Sequence, residues 1–398
     1  MRRLDPAMIR SAGCALLGAL ALASCAAPGT PPTPSPEPAA EPASAPLSSE
    51  APSPTPSQPA CRLRAEAMPV AEQVGQLFMI GVNTSGLDDT TREAIREHHI
   101  GSAVLLGNTG QGTQPIRKLT AELGELGDIL VAVDQEGGSV QRLTGPGFSD
   151  IPTALKQGKL TDGELQAETA AWSQELADVG VHYNLAPVAD VVPEAKQNSN
   201  APIGKLHRNF GNDAATVSAA VTEFVSGSHD AGLVTSLKHF PGLGEVTVNT
   251  DFGVAVDEDI TADDEYLEPF RAGIAAGADS VMVSSAIFQQ IDPDQEGVFS
   301  TAIIEELLRQ DLGFDKVVIS DDLGEAASVG DVAPADRATR FFAAGGDLLI
   351  NANPAMMADM AKATIAWAEA DPANAERVTQ SAARVLALKE SAGLGSCG

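Results

Sequence analysis

Eight short apolar runs punctuate this chain, at 77–82, 102–106, 129–133, 181–185, 233–237, 280–283, 316–320 and 347–351. Each is followed by a stretch with helical periodicity: 90–98, 115–126, 161–179, 214–229, 267–276, 301–310, 334–344 and 354–368, with a last helix over 373–391. Strands that alternate with helices are joined by crossovers, so they pair in parallel. Eight such units suit a closed barrel better than an open sheet, and the span 61–398 fits its usual size. An open doubly wound sheet would carry a glycine-rich phosphate turn after its first strand; residues 81–86 (GVNTSG) have the wrong spacing for one. The fold expected is α/β, a single (β/α)8 TIM-type barrel.

The N-terminal residues follow a different pattern. Arg2, Arg3 and Arg10 precede an apolar run over 12–23, the layout of a secretory signal and too short to span a bilayer. The run ends in Leu22-Ala23-Ser24-Cys25, which resembles the lipobox of bacterial lipoproteins. The resemblance implies cleavage before Cys25 and lipidation, palmitate included, of that residue; an ordinary secretory signal with a chance cysteine is the alternative. Residues 26–60 are almost all Pro, Ala, Ser, Thr, Gly and Glu, with one leucine and no aromatic residue, too little apolar surface to offset chain entropy. The expected organisation is a signal peptide (1–24), a disordered tether (25–60) and a barrel domain (61–398), held at the extracytoplasmic face of the cell membrane. Cys14 leaves with the signal, so Cys61 and Cys397 remain at the two ends of the domain. In an oxidising compartment such a pair is expected to form a disulfide, two unrelated thiols being the alternative. A pair so far apart in sequence does not make a metal site. The formal net charge of −29 argues against a nucleic-acid partner, because phosphates need a basic footprint.

In a barrel of this kind chemistry belongs at the C-terminal ends of the strands. The polar clusters of the sequence fall there: 134–142 (DQEGGSVQR) after the third run, Asn184 and Asp190 after the fourth, 238–242 (KHFPG) after the fifth, and Ser320-Asp321-Asp322 after the seventh. Any one of these has a plain explanation; Ser320-Asp321-Asp322, for instance, suits a helix cap. Together at one end they make a coherent site. Asp134, Arg142, Lys238 and His239 can hydrogen-bond sugar hydroxyls. Asp321, beside cationic groups, is expected to stay ionised and nucleophilic. One carboxylate to attack an anomeric carbon, with polar groups to fix the ring, is what a retaining glycosidase requires.

These residues resemble glycoside hydrolase family 3, specifically its bacterial β-N-acetylglucosaminidase branch of NagZ type. The motifs that carry the resemblance are 134–142 (DQEGGSVQR), 184–190 (NLAPVAD), 238–244 (KHFPGLG) and 318–323 (VISDDL), within about residues 68–390. The resemblance implies that Asp321 is the nucleophile of a covalent glycosyl-enzyme. It implies that Asp134, Arg142, Arg208, Lys238 and His239 bind the N-acetylglucosamine ring. It also implies a substrate from peptidoglycan fragments, with no metal or organic cofactor. Arg208 lies in 203–211 (IGKLHRNFG), a looser version of the family's stretch.

One loop departs from the pattern. Where the branch carries an Asp-Ser/Thr-His tripeptide with a histidine acid/base, this chain has Asn249-Thr250-Asp251, and Leu243 stands where another histidine is usual. The expectation is that Asp251 replaces that histidine, buried beside Asp321 and oriented by Asn249. Free aspartate is mostly ionised at neutral pH, so activity is expected to be slow or displaced to lower pH. A carboxylate here also repels phosphate, which favours hydrolysis over phosphorolysis. The alternative function is a non-catalytic glycan-binding lipoprotein on a degenerate barrel. A solute-binding lipoprotein is disfavoured by the eightfold pattern. The chain is expected to act as a monomer.

Overall fold

The computed structural model describes residues 57–160 and 163–398. The signal and nearly all of the tether, with Cys14 and Cys25, lie outside the described residues. Eight parallel strands close a barrel: β1 (Phe78–Asn83), β2 (Ser102–Leu106), β3 (Leu130–Val133), β4 (Tyr183–Asn184), β5 (Val234–Phe240), β6 (Ser280–Val283), β7 (Val317–Asp322) and β8 (Leu348–Asn351). Each pairs with its sequence neighbour, and β1 pairs with β8, which leaves no barrel edge. All eight strands fall on the eight apolar runs, so the barrel expected from the alternation is the architecture of the domain.

Alternation along each strand divides two cores. Met79, Val104, Leu130, Ala132, Tyr183, Val234, Met282, Val317, Ile319, Leu348 and Ile350 fill the barrel interior. Their neighbours, such as Val131, Val133, Leu237 and Val318, face the surrounding helices. Those helices include Asp89–Glu97, Thr113–Gly124, Glu164–Ala177, Ala214–Asp230, Glu268–Ala275, Pro334–Ala343 and Met357–Ala370. The segment Ala302–Asp311 is wound as a π-helix. Two starts are set by side-chain caps: Asp88 accepts from the Thr91 N–H and Asp213 from the Thr216 N–H, each at 2.8 Å.

The N-terminal rim of the barrel is stabilised separately. Two helices precede β1, Ser57–Ala67 and Val70–Gln76, where the sequence pattern had suggested none. Ordered structure therefore begins ahead of residue 61. The first helix packs on the last, Pro372–Ser391, and Cys61 is joined to Cys397 by a disulfide. Their burial comes from that docking, which no local periodicity reveals. Val385 and Leu388 of the last helix enter the interior core. Lys389 donates to Gln76, just before β1, at 2.8 Å. Asp347, fully buried ahead of β8, is held by Arg309, Arg377 and Arg384 at 2.6, 3.0 and 3.1 Å. These groups belong to the stability of the rim, and the opposite rim is left for chemistry. Among the described residues no helix is long and apolar enough to cross a membrane.

Candidate active site

The period-two register that fills the interior also delivers polar groups to its C-terminal mouth. Leu130 and Ala132 are followed on the same face by Asp134 and Glu136, Val234 by Ser236 and Lys238, and Val317 and Ile319 by Asp321. The pairing shifts register between Lys238 and Phe240 on β5 and between Ile319 and Asp322 on β7. Bulges of this kind re-aim side chains, and they sit where the site needs them. The Lys238–His239 and Phe240–Pro241 peptide bonds are cis. The mouth opens into a pocket of about 270 Å³ lined by Asp134, Arg142, Arg208, Lys238, His239, Asp251 and Asp321, together with Leu206, Leu243, Asn249, Thr250, Met282 and Asp322. Every catalytic and sugar-binding candidate named from the sequence therefore borders one cavity.

Its floor is an ion network. Lys238, 2% exposed, donates to Asp134 Oδ1 and Glu136 Oε1, both at 2.6 Å. Arg208 forks onto Glu136, with Nε to Oε2 at 2.8 Å and Nη2 to Oε1 at 2.7 Å. Burial would push the Glu136 carboxyl up, but Arg208 and Lys238 together outweigh it and hold it well below the usual carboxylate range. Burial likewise opposes the charge on Lys238 and Arg208, and their acidic neighbours raise both. Arg142 completes the wall, 3.8 Å from Asp134 and 3.2 Å from Asn108 Oδ1. The short hairpin Gln135–Gly137 with Val140–Gln141 brings Arg142 back beside Asp134. Its turn requires glycine: Gly137 has φ +101°, and a Cβ there would strike the Pro152 carbonyl.

His239 is fixed by a fully buried acid. Asp190 Oδ2 lies 2.8 Å from His239 Nδ1, and Oδ1 accepts the backbone N–H groups of His239 and Leu243 at 3.1 and 2.8 Å. Arg208 Nη2 reaches His239 Nε2 at 3.5 Å. Glu136 and Asp190 lie in clusters that the sequence marked, but neither was given a role from the sequence. The signal for Glu136 was present, since it stands two residues after Asp134 on the same face. Asp190 has only its place in the cluster after β4.

Asp321 differs from expectation in one respect. Burial raises its carboxyl to about 6; His239 opposes the rise, and Asp251 and Asp322 add to it. The cationic neighbours do not hold it in the ordinary range because Lys238 and Arg208 are already bound by Asp134 and Glu136. The group is ionised at neutral pH and becomes protonated below about 6. Its Oδ1 accepts the Asp322 N–H at 2.9 Å. Asp322 caps the following turn through the N–H groups of Gly324 and Glu325, both at 2.8 Å.

The loop after β5 also corrects two expectations. Asp251 is exposed at the pocket mouth, not buried, because the turn around it presents its side chain outward. Asn249 accepts the backbone N–H of Asp251 at 2.9 Å, so it shapes the turn and does not hold the carboxylate. The turn is pinned to the 3₁₀ helix Ala327–Val329 by Ser328 N–H to Thr250 O at 3.1 Å and Ala327 N–H to Asp251 O at 3.3 Å. Its root is tied by Asn200, whose Nδ2 donates to the carbonyls of Leu243, Gly244 and Val246 at 2.6, 3.1 and 2.8 Å. Lys196 pairs with Glu245 at one end of the loop and with Asp259, at 2.7 Å, at the other.

Among the described residues, the one cluster with three potential metal ligands is Cys61, Glu390 and Cys397, and its two sulfurs are joined to each other. What the cavity can do follows from its two faces. The floor can hold a polyhydroxylated ring, and the mouth offers one partly buried and one exposed carboxylate.

Comparison with known proteins points the same way. The model of the glycosyl hydrolase family 3 N-terminal domain matches residues 69–388. A β-hexosaminidase of Stenotrophomonas maltophilia is 34% identical over 294 residues, covering 71% of this chain and 84% of that protein. One from Xylella fastidiosa is 36% identical over 296 residues, covering 71% and 85%. Among solved structures, a β-N-acetylhexosaminidase from Beutenbergia cavernae is 45% identical with a TM-score of 0.80, covering 81% of this chain and 99% of that one. A family 3 β-N-acetylglucosaminidase from Paenibacillus is 31% identical with a TM-score of 0.75, covering 82% of this chain and 63% of its own.

Proposed function

Because this chain belongs to glycoside hydrolase family 3 and is a glycoside hydrolase, we propose that it is a retaining exo-β-N-acetylglucosaminidase acting on peptidoglycan-derived fragments or related glycosides. The observation that carries this is Asp321, delivered by the inward register of β7 to a pocket whose floor is the Asp134–Lys238–Glu136–Arg208 network. The network and the His239–Asp190 pair hold the ring hydroxyls. The Asp321 carboxylate attacks the anomeric carbon as the bond to the leaving oxygen breaks, and Asp251 gives that oxygen its proton. Water then attacks the glycosyl ester, Asp251 takes the proton, and Asp321 is freed with net retention. Water is the acceptor, so added phosphate releases no sugar 1-phosphate.

The test is turnover of a chromogenic β-N-acetylglucosaminide by residues 57–398, beside Asp321→Asn and Asp251→Asn, across pH 4 to 8. The expected result is activity in the wild type, none in Asp321→Asn, and an altered pH profile in Asp251→Asn that depends on the leaving group. A wild type as inactive as Asp321→Asn on this substrate and on the β-glucoside, yet binding glycan, would favour the non-catalytic alternative. The membrane part of the proposal rests on residues 22–25 (LASC). Cys25 carries the lipid and the proline-rich segment sets the domain off from the bilayer. Cys25→Ser should release the protein from membranes, and retention of that variant would overturn the anchor.

A further inference from the structure

Exposed large apolar side chains are few among the described residues, and they are unevenly placed. Of the seven, Val248, Phe252 and Val254 lie on the loop that carries Asp251, Val256 opens the short strand that follows it, and Leu206 lines the pocket itself. Phe252 is 84% exposed, the most of all of them. Apolar surface gathered at one place marks a contact site, whereas scattered residues need no explanation.

The loop is not simply frayed. Asn249 O accepts the N–H groups of Phe252 and Gly253 at 3.0 and 3.2 Å, and the 3₁₀ helix Ala327–Val329 pins the carbonyls of Thr250 and Asp251. The backbone is therefore held while the Phe252 ring projects from it.

The pocket's size says what the ring is for. At about 270 Å³, it falls just below the range of roughly 300–1,000 Å³ typical of pockets that enclose a drug-sized ligand. It has room for one sugar ring, gripped by the polar floor. The leaving group must then lie outside, over the mouth, next to the acid that protonates it. Phe252 directly follows Asp251, and Leu206 stands on the pocket wall contributed by a separate segment.

We propose that Phe252, with Leu206 and the exposed valines 248 and 254, forms a leaving-group subsite that selects β-N-acetylglucosaminides whose aglycone presents an apolar face, such as an aryl group or an alkyl-substituted sugar. The inference rests on the hydrolase reading above. It makes Phe252 a specificity residue that takes no part in bond breaking.

The experiment compares two substrates that share the donor ring: N-acetyl-β-glucosaminyl fluoride, whose leaving group makes no apolar contact, and an aryl β-N-acetylglucosaminide. Phe252→Ala should lower kcat/KM about tenfold on the aryl substrate, the value of one lost aromatic contact, and leave the fluoride within about twofold. Phe252→Trp should restore the aryl rate, and Leu63→Ser, an exposed apolar control far along the chain, should change neither. Equal loss on both substrates, or no loss on either, overturns the subsite while the hydrolase reading stands. Inertness of the wild type toward both substrates overturns the hydrolase reading and the subsite with it.

Discussion

Asp321→Asn should abolish turnover and at the same time stabilise the fold at neutral pH. Burial raises the Asp321 carboxyl from 3.8 to about 6, and a rise of that size corresponds to about 3 kcal/mol of differential free energy between its two forms. The folded state favours the protonated form. Below the unfolded value near 3.8 the group is protonated in both states and costs nothing. As pH rises through about 6 the folded protein must carry the charge, and the full penalty applies above that. Asparagine removes the charge and keeps the oxygen that accepts the Asp322 N–H. Urea unfolding of both proteins, disulfide intact, should show a gain for the variant approaching about 3 kcal/mol at pH 8 and shrinking toward zero near pH 4. Relaxation around the charge makes that figure an upper value. A variant no more stable than the wild type at pH 8, or equally more stable at both pH values, would mean that Asp321 carries no such penalty. A carboxylate held at a cost to stability is what a site built for reaction displays.

Three further outcomes follow from the same structure. The acid limb of kcat/KM should fall near pH 6, with activity lost below it as Asp321 takes a proton, which opposes the displacement to lower pH expected from an aspartate acid; a limb near 4, found by initial rates on the free enzyme, would contradict the burial argument. Glu136→Gln leaves Lys238 and Arg208 buried without their shared carboxylate and should cost about 3–5 kcal/mol in urea unfolding. Cys397→Ser should lower stability by about 2–5 kcal/mol while leaving kcat unchanged at 25 °C, because neither Cys61 nor Cys397 lines the pocket.

The barrel was readable because each strand run is apolar on both faces and each helix is periodic on one. The same register carried the eye to Asp134, Lys238 and Asp321, which continue the inward rows of Leu130, Val234 and Val317. Residues beyond the reach of period two were harder. The bulges in β5 and β7 are properties of pairing between strands, and no single run encodes them. Asn200 and Lys196 are far in sequence from the loop they tie down, so only the folded chain shows their work. Asp251 was placed by sequence in the right loop but with the wrong burial, since turn geometry at Asn249 decides which way its side chain faces. The helix Ser57–Ala67 is amphipathic only in relation to the C-terminal helix on which it docks.

On the proposed mechanism Asp321 becomes covalently glycosylated during turnover. A fluorinated N-acetylglucosaminyl fluoride, which forms the ester faster than water removes it, should add one sugar mass to the intact protein. Peptide mapping should then place that sugar on Asp321, with no adduct in Asp321→Asn. Turnover with no trapped sugar and an inverted product, or a sugar on any other residue, would contradict the account.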